Sequence, residues 1–332
     1  MMKWRPFQTN DLAECLAMDA TSLGHELLGR DRALQAWQTL TKTPAFIGAL
    51  LYEERRIGGS HIVGFGCTAF VSEDFALREL ADPRPGLNAR VLASLSTEQP
   101  ATLTREQIAR GNSSDGLYAV ILTSFLRESD LSVEQMNEAA SVMSAAALHC
   151  HSGFRLRMFL REACGAGNIR HVLWQKVFRM VSDYHEFLQQ NPANHWGRER
   201  MLFTLDAAGA RSVAGSLYQS LFHYRPPVLY LTEVEQDLLS AALGGLTDDE
   251  LARVLGLKLG TVKKRWASIL QRVSTNRPDL LPETNHGGDT RGRQRRHHLL
   301  AYLREHPEEL RPWAAEKPGR TRVTTMPLRI RV

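Results

Sequence analysis

Residues 231–273 run LTEVEQDLLSAALGGLTDDELARVLGLKLGTVKKRWASILQRV. Thr232 precedes apolar residues at Leu238, Leu239, Ala242 and Leu243, the spacing of one helical face. Glu233, Glu235 and Asp237 stand near the start of that helix, where its dipole favours negative charge. Gly244 and Gly245 end it. Thr247 and Glu250 then make a capping box for a second helix, whose apolar face is Leu251, Ala252, Val254 and Leu255. Gly256 permits a sharp turn with Leu257 packed beneath it. A third helix is expected from about Leu259 to Val273. It carries Val262, Trp266, Ile269, Leu270 and Val273 inward and Lys263, Lys264, Arg265 and Arg272 outward. Two short helices, a glycine turn and a basic third helix are the geometry that enters a DNA major groove.

The spaced set Leu231, Thr232, Glu235 and Leu239, then Gly245, Thr247, Glu250, Ala252, Leu255 and Gly256, then Thr261-Val262-Lys263, resembles the LuxR-type helix-turn-helix family. The resemblance implies a third helix lying in the major groove with Lys263, Lys264 and Ala267 towards the bases. Val234, Lys258, Arg265 and Ala267 depart from the family's usual Arg, Ser cap, His and hydrogen-bonding residue. The same Thr-Val-Lys-x-Arg ending occurs in region 4 of sigma factors, so RNA polymerase is an alternative partner. A promoter-melting region to accompany it is not found upstream.

Charge is placed unevenly around this stretch. Residues 255–332 hold 17 Lys and Arg against 7 Asp and Glu, a balance of +10, whereas the first 254 hold 24 against 29, a balance of −5. A basic C-terminal segment suits phosphate neutralisation on double-stranded DNA. Beyond the motif, Leu299, Leu300, Tyr302 and Leu303 give a helix from Arg293 to His306 an apolar side to pack on the module. Arg291, Arg293, Arg295 and Arg296 lead into it as expected phosphate contacts. The expected DNA-binding set is therefore Thr261, Lys263, Lys264, Arg265, Arg272, Arg291, Arg293, Arg295 and Arg296.

The chain has 332 residues, a length that suits about two domains, and is 43% hydrophobic, enough for ordinary cores. It lacks a run of about 18 apolar residues and an apolar signal segment at MMKWRPFQTNDL, so a cytoplasmic protein without membrane contact is expected. Cys15, Cys67, Cys150 and Cys164 are too scattered for a zinc site or a disulfide frame and read as thiols in a reducing compartment. Pro226-Pro227 marks a linker. The expected division is an α/β domain over 1–224, an all-α DNA-binding domain over 225–313 and a flexible basic tail over 314–332.

Along 1–224 the pattern alternates. A strand and helix are expected over 3–19, a helix over Asp31–Thr41, and a hairpin of Phe46–Tyr52 with His61–Val71 joined by Glu53–Ser60. Ser72–Asn112, interrupted by Pro83, Pro85, Gly86 and Pro100, reads as irregular apart from a helix at Thr104–Arg110. Gly116–Phe125 is a continuous apolar run suited to a central strand buried on both faces. A helix capped by Ser132 follows, then a strand at Phe154–Leu160, a helix at Asn168–Val177, and strands at Phe178–Tyr184 and Met201–Leu205. That order gives an α/β domain with a mixed sheet.

The order resembles the GNAT acetyltransferase fold, with WRPFQTNDLAECLAM in the place of its first strand and helix and HVLWQKVFRMVSDY in that of its closing ones. Such enzymes hold the acyl-CoA pyrophosphate on a glycine-rich turn at a helix N-terminus. Here that stretch is FLRESDLSVEQMNEAA, without glycine and with Glu128, Asp130 and Glu134. The resemblance thus implies a mixed-sheet scaffold that senses a small-molecule effector or a partner rather than a catalyst, with no cofactor and no catalytic residue assigned. The alternative is an active N-acyltransferase fused to a DNA-binding module. A homodimer is a further candidate assembly. His149, Cys150 and His151 do not share a helical face, and Gly64 and Gly66 sit inside a strand, so these read as packing rather than as a metal or dinucleotide site.

Overall fold

A computed structural model describes residues 1–18, 28–54, 60–191, 199–281 and 290–314. The hairpin turn at 55–59, most of the loop 283–292 and the tail beyond Ala314 lie outside the described residues.

The elements run β1 (Met2–Pro6), α1 (Leu12–Met18), α2 (Arg30–Leu40), β2 (Phe46–Glu54) and β3 (Ser60–Val71). Next come α3 (Glu73–Ala81), α4 (Leu87–Ser94), α5 (Arg105–Ser113), β4 (Leu117–Leu126) and α6 (Val133–His151). β5 (Leu156–Cys164), α7 (Ala166–Trp174), β6 (Arg179–Ser182), α8 (His185–Gln190), β7 (Arg200–Asp206) and α9 (Ala207–Ser212) complete the α/β part. A 3-10 helix at Leu217–Phe222 leads into α10 (Glu233–Leu243), α11 (Asp248–Val254), α12 (Leu259–Asn276) and α13 (Thr290–Glu305).

One mixed sheet holds the seven strands in the order β1-β2-β3-β4-β5-β7-β6. β4 and β5 run parallel; the other neighbours are antiparallel. β4 is central because its apolar run can be covered on both sides: Leu117, Tyr118, Ala119, Val120 and Leu122 are each 4% exposed or less. Burying each of the large aliphatic ones contributes about 1.5–3 kcal/mol. On one face Leu12, Trp37, Phe75 and Val91 from α1–α4 pack on Leu50, Phe65, Val120 and Leu160. On the other, Ile108, Ile169, Ala210 and Leu221 cover Phe70, Phe159 and Phe203, while Ala139 of α6 sits over Met2, Leu51 and Val63.

Three expectations are corrected. The stretch Ser72–Asn112, expected to be irregular apart from Thr104–Arg110, holds two further helices, because its prolines separate helices instead of dissolving them. Ser72 Oγ caps α3 through Phe75 N at 3.2 Å, and Thr104 with Gln107 forms a capping box on α5. Strand β5 does not stop at Leu160 but runs to Cys164, with Arg161 and Glu162 buried inside it. The helices His185–Gln190 and Ala207–Ser212 are six residues each, too short to show a periodicity.

The β3–β4 register slips between Cys67 and Thr68, leaving Leu122 as an extra residue. Such a bulge bends its strand. The Leu122 carbonyl released from the ladder accepts from Asn88 Nδ2 at 2.5 Å. Pairing of β4 with β5 ends at Ile121 and Arg161, although both strands continue. A cavity lies over this parting, under α6.

The four C-terminal helices have a core of their own, drawn from Leu229 to Leu303 and centred on Leu238, Val262, Trp266 and Ile269. They are docked on the α/β part. Arg105 of α5 donates to Gln236 Oε1 at 2.6 Å and lies 3.2 Å from Glu233 Oε1. Asn112 Nδ2 donates to Pro312 O at 2.7 Å. Arg311 donates to Ser152 O at 2.8 Å and to Cys150 O at 3.2 Å, at the C-terminus of α6. Among the described residues, no helix is long and apolar enough to cross a membrane.

Candidate nucleic-acid interface

The helix expected to carry the basic face is α12. Val262, Trp266, Ile269 and Val273 recur on one side and are each 3% exposed or less. That spacing anchors one side of the helix and leaves the opposite one to solvent. Lys258, Gly260, Lys263, Lys264, Ala267 and Gln271 occupy the open side. Gly260 and Ala267 keep it shallow, so a partner surface can come close to the helix backbone between the lysines. Gly256, at φ +63°, makes the turn from α11 into α12, a conformation that a residue with a Cβ adopts at a cost. Lys258 stands exposed at the N-cap, on the open side.

Three of the other expected contacts have partners within the helical unit. Arg272 does not face outward as a free cation. Its Nε lies 2.9 Å from Glu235 Oε2, which also accepts from Thr232 N at 2.9 Å, while Glu235 Oε1 accepts from Ser268 Oγ at 3.0 Å. Burial works against the Glu235 carboxylate, but these hydrogen bonds and the charge of Arg272 outweigh it and hold its pKa below the ordinary value. Arg295 donates to Ser274 Oγ at 2.7 Å. Arg296 bonds Asp248 at 3.0 Å and stacks on Trp266. These three arginines tie the helices together. Thr261 and Arg265 are half-buried on α12. Arg291 and Arg293 have their backbone in the first turn of α13.

No protein-family model and no curated protein matches this chain.

Docking leaves the lysine face uncovered, because Glu233 and Gln236, which meet Arg105, belong to α10. The linker is packed: Pro227 is buried, and the backbone N–H groups of Val228 and Leu229 donate to the Glu309 carboxylate at 3.0 and 2.9 Å. Tyr302 donates to the same carboxylate at 3.0 Å. A cleft of about 710 Å³ runs along the junction, lined by Arg155, Tyr224, Pro227, Tyr230 and Trp313.

The N-terminus of α6 is capped by its own side chains. Gln135 N donates to Ser132 Oγ at 3.3 Å, and Ser132 N donates to Gln135 Oε1 at 3.0 Å. Glu128, Asp130 and Glu134 are exposed around it. His151 faces Thr68 Oγ1 at 2.8 Å and Ala147 O at 2.7 Å, and burial pushes its pKa down to about 4, so the ring is neutral. Among the described residues no cluster of His, Cys, Asp or Glu is arranged to hold a metal.

The sequence signal for the open face was the i, i+3, i+4 recurrence after Lys258, which includes Gln271. The internal partners Glu235 and Asp248 lie 37 and 48 residues from their arginines, a separation that no local pattern reports.

Proposed function

We propose that this chain is a sequence-specific DNA-binding transcription regulator of the cytoplasm, of bacterial type. In this reading an acyltransferase-like α/β domain senses a ligand or partner and governs a LuxR-type helix-turn-helix unit. The observation that carries it is the open side of α12, where Lys258, Lys263 and Lys264 flank the small residues Gly260 and Ala267 on a helix pinned from behind by Trp266. A basic, shallow helix face of this kind fits a major groove. The mixed seven-stranded sheet is compatible with an acyltransferase-like scaffold. The capped and acidic N-terminus of α6 speaks for sensing over acyl transfer.

The test is a salt-titrated anisotropy measurement on DNA fragments selected with the purified protein. Lys263→Ala and Lys264→Ala are compared with Lys42→Ala, an exposed lysine on the α/β part. Each α12 substitution is expected to weaken binding and, where it removes a phosphate contact, to lower the salt slope by about 1. Losses no greater than that of Lys42→Ala would remove the assigned face.

A further inference from the structure

Arg161 is 6% exposed, at the point on β5 where pairing with β4 ends. Its Nη2 donates to Asn168 Oδ1 at 2.8 Å, and the guanidinium carbon lies 5.8 Å from the centre of the Phe178 ring. Among the described residues no carboxylate lies within ion-pairing distance of it. The adjacent Glu162 points to the other face of the sheet, where it accepts from Gly86 N and Leu87 N and pairs with Arg200 at 3.3 Å. Burial lowers the pKa of Arg161 to about 10, which leaves it a cation at neutral pH.

A buried cation without a counter-charge is costly unless something compensates it. Arg161 borders the cavity over the parted strands, which measures about 390 Å³. Its walls are mainly apolar, with Met143, Phe159, Leu205 and Leu221 among them, and Thr68 and Ser144 add hydroxyls. The histidines on the lining, His151 and His171, have pKa values lowered by burial, so they are neutral at pH 7. Burial also pushes Cys67, Cys150 and Tyr218 up, away from ionisation. The cavity therefore presents one formal charge in a largely apolar, partly open cleft, of a size that suits a small organic ligand.

We infer that this cavity binds a small molecule with an apolar body and one carboxylate, the carboxylate meeting the free edge of the Arg161 guanidinium. A planar guanidinium matches a carboxylate in a two-point contact. One cation balances a monoanion and would leave a phosphate dianion partly uncompensated. The proposal rests on reading the α/β part as a sensor and names what it senses. Two walls of the cavity also hold the C-terminal unit. The 3-10 helix Leu217–Phe222 runs into the linker, and the C-terminus of α6 is bonded to Arg311. A ligand seated there bears on both attachments.

The full-length protein, without DNA, is titrated calorimetrically with decanoate, 3-phenylpropanoate, decan-1-ol, decyl phosphate and decanoyl-CoA. At least one carboxylate is expected to saturate, and decan-1-ol to bind roughly 10- to 100-fold more weakly, the worth of a charge-assisted hydrogen bond. Arg161→Met is expected to lose that preference while melting, without ligand, at or above the wild-type temperature, since a lone buried charge has gone. Arg161→Lys keeps part of the preference. Should Arg161→Met fail to fold, Ser144→Leu narrows the cavity from α6 with Arg161 in place, and it should abolish carboxylate binding. The proposal is overturned if neither carboxylate saturates, if decan-1-ol binds as tightly, or if the phosphate or the CoA thioester binds better. It is equally overturned if Ser144→Leu leaves carboxylate binding intact. None of these outcomes touches the DNA reading, which the α12 lysines test on their own.

Discussion

Arg296 lays its guanidinium over the indole of Trp266, 4.5 Å from the ring centre, while its Nη1 lies 3.0 Å from Asp248 Oδ1. One side chain on α13 thereby holds both the helix that presents the lysines and the first turn of α11. Arg296→Ala should lower unfolding stability by about 1–2 kcal/mol, the scale of a partly desolvated cation–π contact with a half-exposed ion pair. Arg296→Lys should recover only part of this, since an ammonium has no planar face to stack. Urea denaturation of the two variants checks both statements.

Ala267 is exposed in the middle of the open side of α12. Ala267→Glu places a negative charge between Lys263, Lys264 and Gln271 without disturbing the buried side. DNA affinity should fall at least 10-fold at low salt, with stability changed by no more than about 0.5 kcal/mol. Anisotropy and a melting curve on the same preparation separate the two effects.

Gly153 adopts φ +83°, and a Cβ there would lie 2.5 Å from Glu308 N and 2.6 Å from Pro307 C. The backbone of the C-terminal unit meets the end of α6 because this residue has no side chain. Gly153→Ala adds left-handed strain of about 1–2 kcal/mol to a backbone clash. It should separate the two parts before it unfolds either. Faster proteolysis around Arg225–Pro227, with the far-ultraviolet dichroism retained, is the expected signature.

His151 is neutral and buried, with a pKa near 4 against an ordinary value of 6.5. Between those values the unfolded chain binds a proton that the folded chain does not. Stability is therefore full above about pH 6.5 and falls as pH drops towards 4, by at most on the order of 3 kcal/mol for this residue. His149 and His171 shift the same way, so they share the trend. In His151→Gln the slope of stability against pH over that window should be shallower than in wild type. Urea midpoints at several pH values measure it.

Much of the C-terminal unit was legible locally. The Thr247–Glu250 box, the glycines after Leu243 and the four-residue recurrence of Val262, Trp266, Ile269 and Val273 each act over a few residues, and all form as read. The Thr232–Glu235 pair was an equally local capping box. Its carboxylate also receives Arg272, and that second role depends on a helix 37 residues away. In the α/β part the strands followed from apolar runs. The helices Glu73–Ala81 and Leu87–Ser94 were hidden because prolines between helices look like prolines within a loop.

By itself, then, the sequence determined what short-range physics controls: helix starts and stops, the basic run that marks α12 and most apolar sides, though Val254, read onto the apolar face of α11, is exposed. Only the tertiary structure decided which charges remain free. Arg161 and Glu162 looked like the end of a strand, because charged residues in a row rarely belong in a core. The fold buries both, on opposite faces of one sheet. Glu162 meets the N-terminus of α4 and Arg200, whereas Arg161 meets one amide and a cavity wall. Adjacent residues of a strand point to opposite sides, and what waits on each side is assembled from distant parts of the chain. The same holds at α12, where Lys263 and Lys264 stay free while Arg272 is taken up by Glu235.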